Sequence, residues 1–146
     1  MSLRTLLFGS GDTNSTTDVG LLVLRVGAGL MMAFAHGLGK IPPSLDFVES
    51  TAGMGFPLPT FFAWSATLSE FVGGLLIIVG LLTRPAALFV AITMAVAFFL
   101  RHGGALTGEG NGELAYVYLI VAITLVITGA GRYSLDQVIW RRTATL

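Results

Sequence analysis

The chain has 146 residues, of which 54% are hydrophobic and 11% are charged, and its formal net charge is zero. A soluble domain carries about 25% charged residues, so this composition indicates a membrane protein of one domain. The neutral charge excludes the basic surface that binds nucleic acid. The absence of cysteine excludes disulfides, thiol catalysis and cysteine-ligated zinc or iron–sulfur sites.

Residues 1–18 form a polar leader, which we expect to be flexible because positions 9–17 hold only Gly, Ser, Thr, Asn and Asp. The apolar residues before this run are too few for the apolar region of a secretory signal, so we expect no cleavage. They could instead rest on the membrane surface beside Arg4; they are Leu3, Leu6, Leu7 and Phe8.

The first predicted span covers about residues 19–38, and Lys40 follows just past its end. It contains Arg25 and His36, which are unusual residues in an apolar helix. Arg25 begins a row of residues spaced four apart, which therefore share one helix face. Small residues on such a face let a neighbouring helix approach closely. The small residues of this row are Gly29, Ala33 and Gly37.

A long connection follows at residues 41–60. Pro42 and Pro43 end the first helix. Residues 44–51 mix apolar and acidic side chains, which predicts a short amphipathic helix at the membrane interface. Glycines and prolines keep the next segment, GMGFPLPT, irregular. A connection of this length is often a functional lid or a re-entrant segment.

Three further apolar stretches complete the domain. The first of them carries a single charge, Glu70, close to its centre. The sequence therefore predicts an all-α fold, a membrane four-helix bundle over residues 19–136, followed by a polar tail at residues 137–146. The further spans are predicted at about residues 61–82, 86–100 and 113–130.

The distribution of basic residues predicts the orientation. Four spans place both termini on one side of the membrane, and Lys40 and Arg101 on the other. Since Lys and Arg are enriched in cytoplasmic segments, both termini and the tail are expected in the cytoplasm. The basic residues on the side of the termini are Arg4, Arg84, Arg132, Arg141 and Arg142.

Glu70 is the centre of the predicted site. A carboxylate in mid-span is costly, so it usually faces the bundle interior and has a partner. At about 1.5 Å per residue, Arg25 lies roughly 9 Å, Glu70 roughly 18 Å and His36 roughly 25 Å from the cytoplasmic ends of their helices. Arg25 reaching inward, or His36 reaching back, could supply the partner.

We therefore predict a cavity in the outer half of the bundle, with Glu70 and His36 as its candidate catalytic groups. The candidate ligand-binding residues are Arg25, His36, Lys40, Glu70, His102 and Tyr116.

Structural interpretations of the same residues stay open. Arg25 and Glu70 would fix the register of two helices, and His36 would bind a loop carbonyl. His102 would cap its helix and Tyr116 would belong to the interfacial aromatic belt.

We predict no metal site. His36, Glu70 and His102 are chemically a two-histidine, one-carboxylate set, but they come from three helices without a diagnostic spacing. A haem between the two histidines stays open, because both are expected near the outer end.

Four stretches resemble the DoxX family of small four-span membrane proteins, and the resemblance covers about residues 19–136. It implies a four-helix bundle in the cytoplasmic membrane of a bacterium or an archaeon, and a link to quinone-coupled redox chemistry, since family members are associated with thiosulfate:quinone oxidoreductase and with oxidative-stress complexes. The stretches are LRVGAGLMMAFAHGLGKI, GFPLP, LSEFVGGLLIIVGLLTRPAAL and ITGAGRYSLD.

Two hypotheses follow. In the first, the chain is a quinone-binding subunit of a membrane oxidoreductase complex with a redox partner protein. His36, Lys40 or Tyr116 would donate hydrogen bonds to the quinone, and Glu70 would relay protons. In the second, it is a non-catalytic membrane anchor that binds a partner, or a homo-oligomer that handles lipid or small solutes.

Overall fold

A computed structural model describes residues 14–144 of the protein, with the side chains of residues 14–141. The expected flexible leader lies mostly outside these residues. Its last part is helical, because the first helix begins at Ser15 with the Asn14 side chain accepting a hydrogen bond from the backbone of Thr17 at 2.9 Å. Such a cap satisfies one of the free N–H groups at a helix start.

The described residues form helices and connecting loops, without strands. Helix α1 is continued by a π-helical segment, Met31–Gly37, and a 3₁₀ turn, Leu38–Lys40; together they make the first span, Ser15–Lys40. Helix α4 is likewise extended by a π-helical segment, Ala97–Arg101. The helices are α1 Ser15–Leu30, α2 Leu45–Gly53, α3 Pro59–Val79, α4 Thr83–Val96, α5 Glu113–Thr128 and α6 Leu135–Ala144.

Three of these segments are long and apolar enough to cross a membrane: the first span, α3, and Thr83–Arg101, which we call the third span. Helix α5 is apolar but has 16 residues, which gives a length of about 24 Å. The prediction of an all-helical membrane bundle is confirmed. The helix expected after the first span is present as α2, while its place at the membrane interface stays a prediction.

Neighbouring spans pack in chain order. The first span lies on α3, α3 on α4, and α4 on α5. A Cβ atom on Gly29 would lie 2.8 Å from the carbonyl oxygen of Gly74, and one on Gly37 would lie 2.5 Å from the backbone nitrogen of Phe71. The small-residue row therefore does bring the two backbones together, as its spacing predicts.

This packing sets the register of the first span. Because Gly37 faces Phe71, the first span ends at Lys40 beside the middle of α3, and α3 continues for about 12 Å beyond it. Helix α2 packs against α3 and takes the space that a longer first span would fill.

The opposite end of the bundle holds both ends of the described chain. Asp18 near the start of α1 accepts a hydrogen bond from the backbone of Arg132 at 2.9 Å. Asp136 at the start of α6 accepts from the backbone of Leu82 at 2.7 Å and of Thr83 at 2.9 Å, and so caps α4. The two ends of the described chain thus lie on one side, as four spans require, while the assignment of that side to the cytoplasm stays a prediction.

Candidate functional site

A cavity of about 620 Å³ lies between α3, α4 and α2; we call it the α3–α4 cavity. Its volume is in the range of small-molecule sites, about 300 to 1,000 Å³. Its wall is mostly apolar and aromatic, with a few polar groups. The aromatic residues are Phe47, Phe56, Phe61, Phe62 and Phe89.

Lys40 and Glu70 form an ion pair at the wall of this cavity. The Lys40 Nζ atom donates to both carboxylate oxygens of Glu70, at 2.7 Å and 2.6 Å. Glu70 is 3% exposed, whereas the Lys40 side chain is 36% exposed. Glu70 therefore does have a basic partner from the first span, but the partner is Lys40 rather than Arg25 or His36. The register explains this, because the first span ends beside the middle of α3.

Lys40 also links the pair to α2. Its Nζ atom lies 5.4 Å from the centre of the Phe47 ring, a distance at which a cation is attracted to an aromatic face. The amphipathic helix is thus part of the cavity wall, and Thr51 and Met54 of the same helix also line it.

Arg25 lies away from the cavity. Its guanidinium donates to the carbonyl oxygens of Ile77 at 3.2 Å, of Ile78 at 2.6 Å, and of Tyr133. These carbonyls belong to the last turn of α3 and to the segment before α6, so Arg25 ties three parts of the chain together. A cation at a helix C-terminus also complements the helix dipole.

His36 and Tyr116 also point elsewhere. The His36 ring packs edge-on against Tyr118 of α5, with 5.4 Å between ring centres, and Tyr116 packs against Phe98 at 5.1 Å. In a regular α-helix His36 and Lys40 would share a face. They diverge because the helix changes from π to 3₁₀ geometry between them, which alters the angle between successive side chains.

His102 does line the cavity, together with Arg101, which the sequence-based set omits. Arg101 directly precedes His102 at the end of the third span, and this adjacency was the signal that could have added Arg101 to the predicted set. Ser69 was also missed. It lines the cavity, and its buried hydroxyl has no hydrogen-bond partner among the described residues.

The structure thus brings Lys40, Glu70 and His102 to one cavity and leaves the other three candidates outside it. Among residues 14–141, no group of three His, Asp or Glu side chains lies close enough to hold a metal ion.

One family model and several individual proteins match this chain. The DoxX family model matches residues 20–103. The chain is 31% identical over 128 residues to "Putative oxidoreductase CatD" of Bacillus subtilis (strain 168), covering 88% of this chain and 92% of that protein. It is 35% identical over 129 residues to "Inner membrane protein YqjF" of Escherichia coli (strain K12), covering 84% and 93%.

A further relative of similar length is "Inner membrane protein YphA" of Escherichia coli (strain K12), with 30% identity over 137 residues, covering 86% of this chain and 94% of that protein. No solved structure matches the chain.

Proposed function

This chain belongs to the DoxX family, and we propose that it binds a quinone in the α3–α4 cavity as a subunit of an oxidoreductase complex of the cytoplasmic membrane. The observation that carries the proposal is the ion pair of Lys40 and Glu70 at the wall of an apolar, aromatic cavity. The printed names of two relatives, "Putative oxidoreductase CatD" and "Inner membrane protein YqjF", agree with this assignment.

The cavity suits a flat ring with polar oxygens. Phenylalanine rings such as Phe62 stack favourably with another ring at centre distances of about 4.5 to 7 Å. The ammonium group of Lys40 has three N–H donors, so it can bind a ligand oxygen while it keeps contact with Glu70. The free hydroxyl of Ser69 is a second donor on the same wall.

A quinone takes up two electrons and two protons when it is reduced to a quinol. In the proposed site, Lys40 orients a carbonyl oxygen and Glu70 exchanges protons with it. His102 lies on the cavity wall near the end of the third span, and it passes protons between the cavity and the surface. Because the chain has no cysteine to ligate an iron–sulfur cluster and no nucleotide-binding motif, the electrons would come from a partner protein or a bound cofactor.

The test is the quinone content of the protein purified in mild detergent, measured by mass spectrometry of the extracted lipids. We expect stoichiometric quinone in the wild type and a loss of roughly fivefold or more in Glu70→Gln and Lys40→Met. Glu113→Gln is the matched control, because Glu113 is an exposed residue at the start of α5 that does not line the cavity. Equal quinone in all variants, or none in the wild type, contradicts the proposal.

The charges of the cavity favour one second candidate, a lipid-handling protein. The lining includes three basic residues, Lys40, Arg101 and His102, and one carboxylate, Glu70, and this excess of basic groups suits a lipid phosphate. A constant amount of phospholipid without quinone in the same extracts would favour this function. A constant partner protein without either ligand would favour a non-catalytic anchor, and a stable multimer alone would favour a homo-oligomer.

A further inference from the structure

The α3–α4 cavity opens sideways through the surface of the bundle. Three of its apolar lining residues are also exposed on that surface: Phe61 of α3 is 62% exposed, and Phe89 and Ile92 of α4 are 63% and 54% exposed. A side chain that borders both the cavity and the outside marks a gap between the two helices. We call this gap, bordered by Phe61, Phe89 and Ile92, the lateral opening.

The lateral opening runs from the start of α3, where Phe61 is about 3 Å from the helix end, to the depth of the ion pair. Ile92 and Phe89 are about 14 Å and 18 Å from the Arg101 end of the third span, and Glu70 is about 16 Å from the start of α3. The hydrocarbon layer of a bilayer is about 30 Å thick. In a membrane protein, the exposed apolar residues at this depth face lipid tails and not water.

The basic residues of the cavity lie on other sides of it. Lys40 approaches from the first span, and Arg101 and His102 lie where the third span ends. The borders of the lateral opening are apolar apart from Ser65, an exposed lining residue of α3 whose hydroxyl donates to the carbonyl oxygen of Phe61 at 2.8 Å. A polar head can therefore bind at Lys40 and Glu70 while an apolar chain attached to it leaves toward the lipid.

We propose that the lateral opening admits the quinone from the bilayer and holds the start of its tail, so that the substrate class is tailed, membrane-dissolved quinones. The inference rests on the proposed function and adds the route by which the quinone enters and the place where its tail binds. The head lies beside Glu70, and the tail passes between α3 and α4, along Phe89 and Ile92, into the lipid. Water-soluble quinones lack the part of the ligand that this passage binds.

The test compares two benzoquinones with the same ring, one without a tail and one with an isoprenoid tail. Binding to the full-length protein is measured in detergent at a fixed micelle concentration, for the wild type and for Ile92→Trp, which fills the opening. The matched control is Ile120→Trp, because Ile120 is exposed on α5 and does not line the cavity. A second variant, Ile92→Ala, widens the opening and serves if Ile92→Trp does not fold.

We expect Ile92→Trp to weaken binding of the tailed quinone about tenfold and to change binding of the tail-free quinone within about twofold. Ile120→Trp should change neither, and Ile92→Ala should speed the release of the tailed quinone. Unchanged binding of the tailed quinone by Ile92→Trp, or an equal loss of both quinones, overturns this inference alone. Failure of the wild type to bind either quinone overturns the proposed function together with it.

Discussion

Lys40 and Glu70 join the end of the first span to the middle of α3, with the ammonium nitrogen within 2.7 Å of both carboxylate oxygens. The two residues are unequal in burial, since Glu70 is almost inaccessible and Lys40 is partly exposed. The pair thus holds a charge inside the apolar bundle, and both of its members line the cavity.

This inequality predicts different costs for the two single substitutions. Lys40→Met leaves a buried carboxylate without a partner, whereas Glu70→Gln leaves an ammonium group that can turn toward solvent or lipid head groups. We expect Lys40→Met to lower the free energy of unfolding by about 2 kcal/mol more than Glu70→Gln. The double variant should recover part of the loss. The measurement is denaturant unfolding in one detergent, and equal losses in the two single variants would contradict the prediction.

Among the glycines between the first span and α3, Gly37 leaves the least room for an added Cβ. In Gly37→Ala the new Cβ would lie 2.5 Å from the backbone nitrogen of Phe71, so the helices must separate. We expect a loss of stability of about 1 to 3 kcal/mol and, because Lys40 shifts with the helix, weaker ligand retention.

Gly27→Ala is the control for this prediction, because a Cβ at Gly27 meets nothing within 4 Å. Its effect on stability should stay within about 0.5 kcal/mol. A Gly37→Ala protein as stable as Gly27→Ala would show that the close approach does not stabilise the bundle.

Arg25 is predicted to stabilise the bundle without contacting the ligand. Arg25→Lys removes the planar group that donates to Ile77, Ile78 and Tyr133, so we expect a loss of about 1 to 3 kcal/mol in thermal or denaturant unfolding. The quinone content per folded molecule should not change. Arg132→Lys, at an exposed side chain on the same end of the bundle, is the control. A loss of quinone from Arg25→Lys with unchanged stability would contradict the prediction and show that Arg25 contacts the ligand.

The orientation of the chain can be tested with single cysteines, since the protein has none of its own. Glu109→Cys lies in the loop between the third span and α5, and Arg132→Cys lies on the end that holds both ends of the described chain. In intact cells made permeable only in the outer membrane, a membrane-impermeant thiol reagent should label Glu109→Cys alone. Labelling of Arg132→Cys alone would invert the predicted orientation.

The candidate site was predictable in part. The isolated charge in mid-span required a buried Glu70 with a basic partner from a neighbouring helix, and the sequence placed Lys40 and His102 in the same set. The identity of the partner was not predictable, because Arg25, His36 and Lys40 could each reach the neighbouring helix, and the sequence does not give the register between the two helices. The change from π to 3₁₀ geometry before Lys40, which turns His36 toward Tyr118, has no signal in composition or spacing.

The sequence by itself determined the class of the protein, because apolar stretches long enough to cross a bilayer, separated by glycine and proline, leave a helical membrane bundle as the fold. It also determined that the first span packs closely on the next, because a row of small residues on one helix face lets a neighbouring backbone approach. Only the tertiary structure decided which basic residue meets Glu70 and where the cavity lies. Both depend on how far two helices slide along each other, and that distance is set by contacts such as Gly37 against Phe71, which form between residues far apart in the chain.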